Sequence, residues 1–192
     1  MFIEDPDGVD DDGKDKITKL IQTEEMPFYW THISTSESFP KYSHALVRRP
    51  SQDNNFDASV EPQIVSPFYQ FFEKYIKKFC LRNGIYFENI FRAIVNATHY
   101  IPDQNHTDPH IDFTQNHLVM IIYLNDSTGN TIIFDKTYDG ENVVFPGKEF
   151  PILKEVTPSL GKILCFDGKY YHANRMPDPG ERRLVSVFNL LT

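Results

Sequence analysis

The chain is poor in cysteine, with only Cys80 and Cys165 in 192 residues. Both sit inside apolar stretches, where cysteine behaves as a small buried hydrophobe, so no disulfide framework is expected. No apolar run approaches the ~20 residues of a membrane span, and no membrane partner is expected. A basic-then-apolar leader is missing at the N-terminus, which gives the expectation of an intracellular, cytoplasmic protein. There is no basic stripe either: 19 lysines and arginines stand against 27 acidic residues, for a net charge of −8. Long nucleic acid is therefore not expected as a partner. Internal repeats and signs of a second domain are also lacking, and the length suits one domain with one site.

Much of the acidic excess falls in residues 1–15, where Asp5, Asp7, Asp10, Asp11, Asp12 and Asp15 crowd together. Such a stretch offers little apolar surface, and we read it as a flexible acidic arm preceding a domain over 16–192. It is not a calcium loop, because Gly8 stands where the spacing leading to Gly13 requires the first aspartate.

What the chain does have is aromatic and β-branched residues in an ordered succession. Ile17, Leu20 and Ile21 suit a short amphipathic helix over 14–23, and 26–65 reads as irregular, rich in Ser, Pro and Asn. Ser66-Pro67 then supplies an N-cap and a first-turn proline. Phe68, Phe71, Phe72, Tyr75, Ile76, Phe79 and Cys80 follow at three- and four-residue steps, and Asn83-Gly84 ends the helix. From Phe91 the texture changes to short strand-like runs, FRAIVNATHY, LVMIIYLND, NTIIFD, GKILCF and RLVSVFNLL, separated by turn residues. Helices first and strands afterwards predict an α+β, mainly β domain, with N-terminal helices supporting a sandwich or barrel over about 91–192.

The chemistry is carried by His110-Ile111-Asp112. On a strand, residues two apart project to one face, so the imidazole and the carboxylate can reach one metal while Ile111 points away. His172, after GKILCF and within the turn YYHANRMPDPGERR, supplies a third ligand. Two histidines and one carboxylate leave three positions open and select non-haem Fe(II), whereas zinc asks for a closed tetrahedron or one open position. Asp108 could compete as the carboxylate, but Pro109 marks the strand's start and favours Asp112. A bound carboxylate co-substrate would need a guanidinium, and Arg182 and Arg183 open the last strand. Taken singly, a histidine here is as readily a core or surface residue, and an arginine pair is a solvated strand start. His32, His44, His99, His106 and His117 have no partners at ligand spacing and read as structural or surface residues.

In these motifs the chain resembles the Fe(II)/2-oxoglutarate oxygenase superfamily, in its prolyl-hydroxylase-like branch, over about residues 91–192. Tyr100 stands ten residues before His110, as in the hypoxia-factor prolyl hydroxylases, and Ile121-Ile122-Tyr123-Leu124-Asn125 is similar to their I-Y-Y-L-N strand. The chain also resembles short stand-alone oxygenases of bacteria and tailed phages, whose arginine strand closes on F-N as Arg183 to Phe188-Asn189 does here. The resemblance implies a double-stranded β-helix, with iron on His110, Asp112 and His172. It implies 2-oxoglutarate and dioxygen as co-substrates, with ascorbate supportive. Tyr123 would donate to the distal carboxylate and Tyr100 would line the same pocket. Alignment through Phe188-Asn189 favours Arg183 for that carboxylate, whereas strand parity with Ser186, a second donor, favours Arg182. Where the family has a glycine pair, this chain has Gly129-Asn130, which departs from the pattern around Thr131 and Ile133.

The activity so implied is hydroxylation of a C–H bond, with succinate and CO2 released. The branch points to a prolyl or other peptidyl side chain, and the same scaffold serves free amino acids and other small molecules. Loops 101–109 and 135–153, the latter with Lys136, Tyr138, Asp139 and Lys148, are expected to rim the entrance. A nucleic-acid demethylase of the superfamily carries a second arginine where Asn189 falls here. Two readings from other classes remain: a cupin-like metalloenzyme, and a binding module that has lost catalysis.

Overall fold

The computed structural model describes residues 1–23, 25–32, 34–49 and 61–192. The central part of the irregular stretch read over 26–65, residues 50–60, lies outside them. The chain runs β1 (Phe2–Asp5), α1 (Asp11–Gln22), β2 (Tyr29–Thr31), β3 (Lys41–Arg48), β4 (Gln63–Ile64) and α2 (Tyr69–Arg82). It continues through β5 (Asn89–His99), β6 (His117–Tyr123), β7 (Thr131–Thr137), β8 (Ile152–Val156), β9 (Ile163–Asp167), β10 (Tyr170–Asn174) and β11 (Arg182–Leu191).

The strands form two antiparallel sheets, a major one ordered β1-β9-β6-β11-β5-β3-β2, with β4 on β3, and a minor one ordered β10-β7-β8. This is a double-stranded β-helix, a jelly roll backed by helices. Period-two alternation decides what each face of the major sheet does. On β11, Leu184, Phe188 and Leu190 join Met120, Ile122, Val95 and Cys165 on the outer face. There they meet the aromatic side of α2, with Phe72, Tyr75, Ile76 and Phe79. Residues of opposite parity, Val119, Ile121, Tyr123 and Val185, face inward toward Ile133 of the minor sheet. Helices close one side of the sheet, which leaves the space between the sheets for a site.

Helix α2 starts two residues later than Ser66-Pro67 suggests, and Ser66 serves His44 instead of capping the helix. The Ser66 hydroxyl lies 2.7 Å from His44 Nε2 while accepting from the Phe68 N–H at 3.2 Å. Gly84, with φ of 64°, ends the helix in the left-handed region that glycine reaches without a Cβ clash.

The expected flexible acidic arm is corrected. Residues 2–5 add a strand to the edge of the major sheet, Phe2 opposite Phe166 and Ile3 opposite Cys165, and Asp10 caps α1 by accepting from the Gly13 N–H at 3.0 Å. The aspartates remain at the surface, but Val9 and Ile17 are wholly buried. Those few apolar contacts, with the strand hydrogen bonds, supply what composition alone understates. Among the described residues, no helix is long and apolar enough to cross a membrane.

Candidate metal centre

His110, Asp112 and His172 offer ligand atoms that all lie within 4.8 Å of one another. His172 is on β10 of the minor sheet, facing inward. His110 does not sit on a regular strand as expected; it makes isolated bridges to His172 and Val144. The alternation still holds across it, since Ile111 packs on the far side with Phe134 and Tyr171 while His110 and Asp112 face the cavity. His110 and His172 exchange backbone N–H to carbonyl bonds of 3.0 and 2.9 Å, and their rings lie 4.6 Å apart.

Each imidazole is held so that one nitrogen is left for a ligand role. His110 Nδ1 donates to the Asp108 carbonyl at 2.9 Å, and His172 Nδ1 to the Tyr170 carbonyl at 3.1 Å. Both Nε2 atoms thus point inward as lone-pair donors, the arrangement found around metal-ligating histidines. Asp112 takes 3.2 Å from Arg92 Nη1 on one oxygen and 2.8 Å from Asn189 Nδ2 on the other. Burial alone would raise its pKa, but the Arg92 guanidinium, with His172 and His110 behind it, holds the carboxyl well below the usual range. Burial and the neighbouring His172 push His110 down to about 4, so its ring is neutral at pH 7. A carboxylate and neutral imidazole are the forms a metal requires. Asp108 is engaged elsewhere, accepting from the Gly147 N–H at 3.0 Å.

The pocket at the triad measures about 70 Å³ and is lined also by Arg183. Arg183 is 4% exposed. Its Nη2 donates to Thr131 Oγ1 at 2.8 Å, and the same oxygen lies 2.7 Å from the Tyr123 hydroxyl. Burial pushes Tyr123 up to about 12, so it stays a donor. The Nε of Arg183 is buried with no hydrogen-bond partner, and the guanidinium forms no ion pair among the described residues. Gly129 gives this side chain its room, since a Cβ there would lie 3.0 Å from Arg183 Cδ.

Three expectations change here. Arg182 is exposed and points away from the cavity, as its parity on β11 dictates. Ser186 is wholly buried but shares the face of Leu184 and Phe188, toward the helices, and so cannot reach the pocket that Arg183 enters. Tyr100 lies just past β5, is 41% exposed and does not line the pocket. In the loop 135–153, Val144 reaches the cavity wall, whereas Tyr138, Val143, Phe145 and Phe150 pack on the outer face of the minor sheet. Lys136 pairs there with Asp139 at 3.2 Å and lies 5.4 to 5.7 Å from three ring centres.

The opposite wall comes from a stretch read as irregular. Ser34, Phe39, Pro40 and Lys41 line the pocket, with Arg92, Asn96 and Thr98 of β5. The period-two signal in Lys41–Arg48 could have revealed β3, since His44 and Leu46 are buried while Lys41, Ser43 and Ala45 are not.

No protein-family model matches the sequence, and no curated protein matches it. Solved structures match it across its length. An oxidoreductase of the 2OG-Fe(II) oxygenase family from Burkholderia pseudomallei superposes with a TM-score of 0.69 at 14% identity, covering 99% of this chain and 84% of the other. The fold is that of the 2OG-Fe(II) oxygenases. A prolyl hydroxylase from Trichoplax adhaerens, solved with a hypoxia-inducible-factor peptide fragment, gives a TM-score of 0.59 at 12% identity, covering 99% and 83%. The epimerase SnoN, solved with Fe3+, alpha-ketoglutarate and nogalamycin RO, gives 0.56 at 13%, covering 99% and 78%. The resemblance to 2OG-Fe(II) oxygenases read from the motifs is thus matched by a likeness of architecture.

Proposed function

We propose that the chain is an Fe(II)- and 2-oxoglutarate-dependent oxygenase that hydroxylates a C–H bond of its substrate. The observation that carries this reading is the pairing of two features in one cavity. Three ligand atoms converge on one point, and the same pocket is lined by a buried guanidinium that has no counter-ion among the described residues. A buried cation with an unused N–H is costly unless an anion completes it, and a dicarboxylate that reaches from metal to arginine does so.

In this reading His110, Asp112 and His172 hold Fe(II). Arg183, supported by Thr131, takes the distal carboxylate of 2-oxoglutarate, and Tyr123 strengthens that end by polarising Thr131. When bound, iron, 2-oxoglutarate and dioxygen together supply the oxidation, in which R–H, 2-oxoglutarate and O2 become R–OH, succinate and CO2. The chain's own part is orientation and exclusion of water. Arg92 and Asn189 fix the carboxylate's rotamer, the Asp108 and Tyr170 carbonyls fix the two imidazoles, and Val119, Ile121, Val185 and Val187 give the pocket apolar walls. The fold is shared by proteins acting on peptides and on small molecules, so a peptidyl side chain, prolyl foremost, and a small molecule are the substrate classes that fit it.

The test is succinate release with Fe(II), ascorbate and 2-oxoglutarate, on wild type and on His110→Ala. The expected result is turnover that His110→Ala abolishes. A wild-type chain that holds iron but neither binds nor decarboxylates 2-oxoglutarate overturns the reading in favour of a cupin-like metalloenzyme. One that holds no iron marks a module without catalysis.

A further inference from the structure

The oxygenase reading uses one cation for the co-substrate and one to orient Asp112, and leaves Lys41 without a task. Lys41 opens β3 and lines both the triad pocket and an adjoining groove of about 510 Å³. The groove runs from His110 and Asp112 along the inner face of β3, past Ser43 and Ala45, which pair with Asn96 and Ile94 of β5. Arg183 is not part of its lining.

Among the described residues Lys41, Arg48 and Arg92 border this groove with one carboxylate, Asp112. Arg92 and Asp112 satisfy each other. Such a cluster runs against the composition of a chain with net charge −8. Among the described residues Lys41 makes no ion pair and no hydrogen bond. Burial, with repulsion from Arg92, Arg183 and Arg49, pushes its ammonium down to about 7 despite the attraction of Asp112. Lys41 is thus a cation of the groove with no anion beside it among the described residues. The groove also holds an unused hydroxyl, since Thr35 Oγ1 is buried without a hydrogen-bond partner among the described residues.

We propose that the substrate carries an anionic group, a carboxylate or a phosphate, which docks on Lys41, with the Thr35 hydroxyl as a further contact. This rests on the oxygenase reading for what happens next: the anchored group holds a neighbouring carbon over the metal. Lys41 stands where the two meet, and the groove extends beyond the co-substrate's pocket, since Arg183 lines the pocket and not the groove. A charged anchor of this kind selects against neutral analogues by leaving Lys41 unpaired when they bind.

The experiment loads the full chain with Zn(II) and 2-oxoglutarate, so that Arg183 is occupied, and follows the amide resonances of Ser43 and Ala45. The probes are O-phosphoserine and N-acetylaspartate, each against its uncharged-side-chain counterpart, serine and N-acetylasparagine. At least one anionic probe is expected to bind tenfold or more tightly than its counterpart, and which one does so separates phosphate from carboxylate. Lys41→Met is expected to abolish that preference, and Arg48→Gln, an exposed charge at the far end of β3, to leave it unchanged. Equal binding of charged and neutral probes, or a preference that survives Lys41→Met, overturns the proposal. Co-substrate binding is measured first, so the two readings fail separately. If 2-oxoglutarate does not bind, the oxygenase reading fails, and the Lys41 comparison is scored on the chain with Zn(II) alone.

Discussion

Arg92 and Asn189 stand opposite each other across the β5–β11 ladder, linked at 3.1 Å, and each donates to a different oxygen of Asp112. The only carboxylate of the candidate triad is therefore gripped from two neighbouring strands, and its rotamer is set by the sheet rather than by the loop that carries it.

Asn189→Leu keeps the volume and removes one of those donors from a wholly buried position. The chain is expected to fold, and to bind Fe(II) or Zn(II) on the order of 10–100-fold more weakly, as loss of an outer-shell partner does elsewhere. Metal titration by calorimetry checks this. An unchanged dissociation constant would mean that Asn189 does not position Asp112.

Arg183→Met has opposite effects on stability and on co-substrate. The guanidinium is buried without a counter-ion among the described residues, so its replacement by a similar apolar side chain is expected to leave the ligand-free chain as stable as wild type or more so. Binding of 2-oxoglutarate is expected to fall by roughly 2–5 kcal/mol, the cost of truncating one partner of a buried charge pair. In a thermal melt, wild type with Zn(II) gains stability on adding 2-oxoglutarate and the variant does not. Arg182→Ala, at an exposed position, is expected to leave that gain intact.

Alkaline pH should loosen the fold well above neutrality. Burial raises Cys165 from 9.0 to about 12 and Cys80 from 9.0 to about 11, and raises Tyr123 from 10.0 to about 12. In each case the unfolded chain loses its proton first. The stability these groups contribute is complete below pH 9 and is lost as pH rises through the folded-state values. Each group removes about 1.4 kcal/mol per pH unit once its unfolded form ionises. Lys41, held down at about 7, contributes with the opposite sign, so urea midpoints should rise between about pH 7 and 8.5 and fall by about pH 10.5, where the thiol and phenol contributions dominate. Cys165→Val is expected to flatten that fall, and an identical slope in the variant would refute the assignment.

The triad was legible because its chemistry is local: two ligands two residues apart reveal their common face without knowledge of the strand partner. Tyr123 was legible only through the resemblance carried by Ile121 to Asn125, and its hydroxyl meets Thr131. The choice between Arg182 and Arg183 was not, because it depends on which face of β11 the helices cover, and that is set by packing far along the chain. Ser186 was placed in the pocket by the same ambiguity. The wall built from Ser34 to Lys41 was hidden because polar groove-lining residues look like a loop when the buried alternates, His44 and Leu46, are few. Strand β10 was read as a turn, since its pattern of Tyr, Tyr, His, Ala and Asn carries little β-branched signal. The acidic segment misled for the reverse reason, its charge masking the few apolar residues that anchor it.

Gly13 gives the sharpest test of that anchoring. It lies in the first turn of α1, where an exposed glycine replaced by alanine gains up to about 1 kcal/mol. Here a Cβ would lie 2.1 Å from the Tyr75 hydroxyl oxygen and 2.5 Å from Val9 Cγ1. Tyr75 is on α2, buried at 2% exposure, and its hydroxyl donates to Asp10, the residue that caps α1. The ring is packed in the core with Phe72 and Phe79, and shifting α1 instead would withdraw Val9 and Ile17 from the core they share with α2. Gly13→Ala is therefore expected to destabilise the chain by about 1–3 kcal/mol, the usual range for overpacking. Tyr75→Phe in the same background should recover part of that loss by removing the atom nearest the new methyl. Chemical denaturation of the two variants decides the matter: a mobile acidic arm would make Gly13→Ala neutral or stabilising, and the sign of the change separates the two pictures.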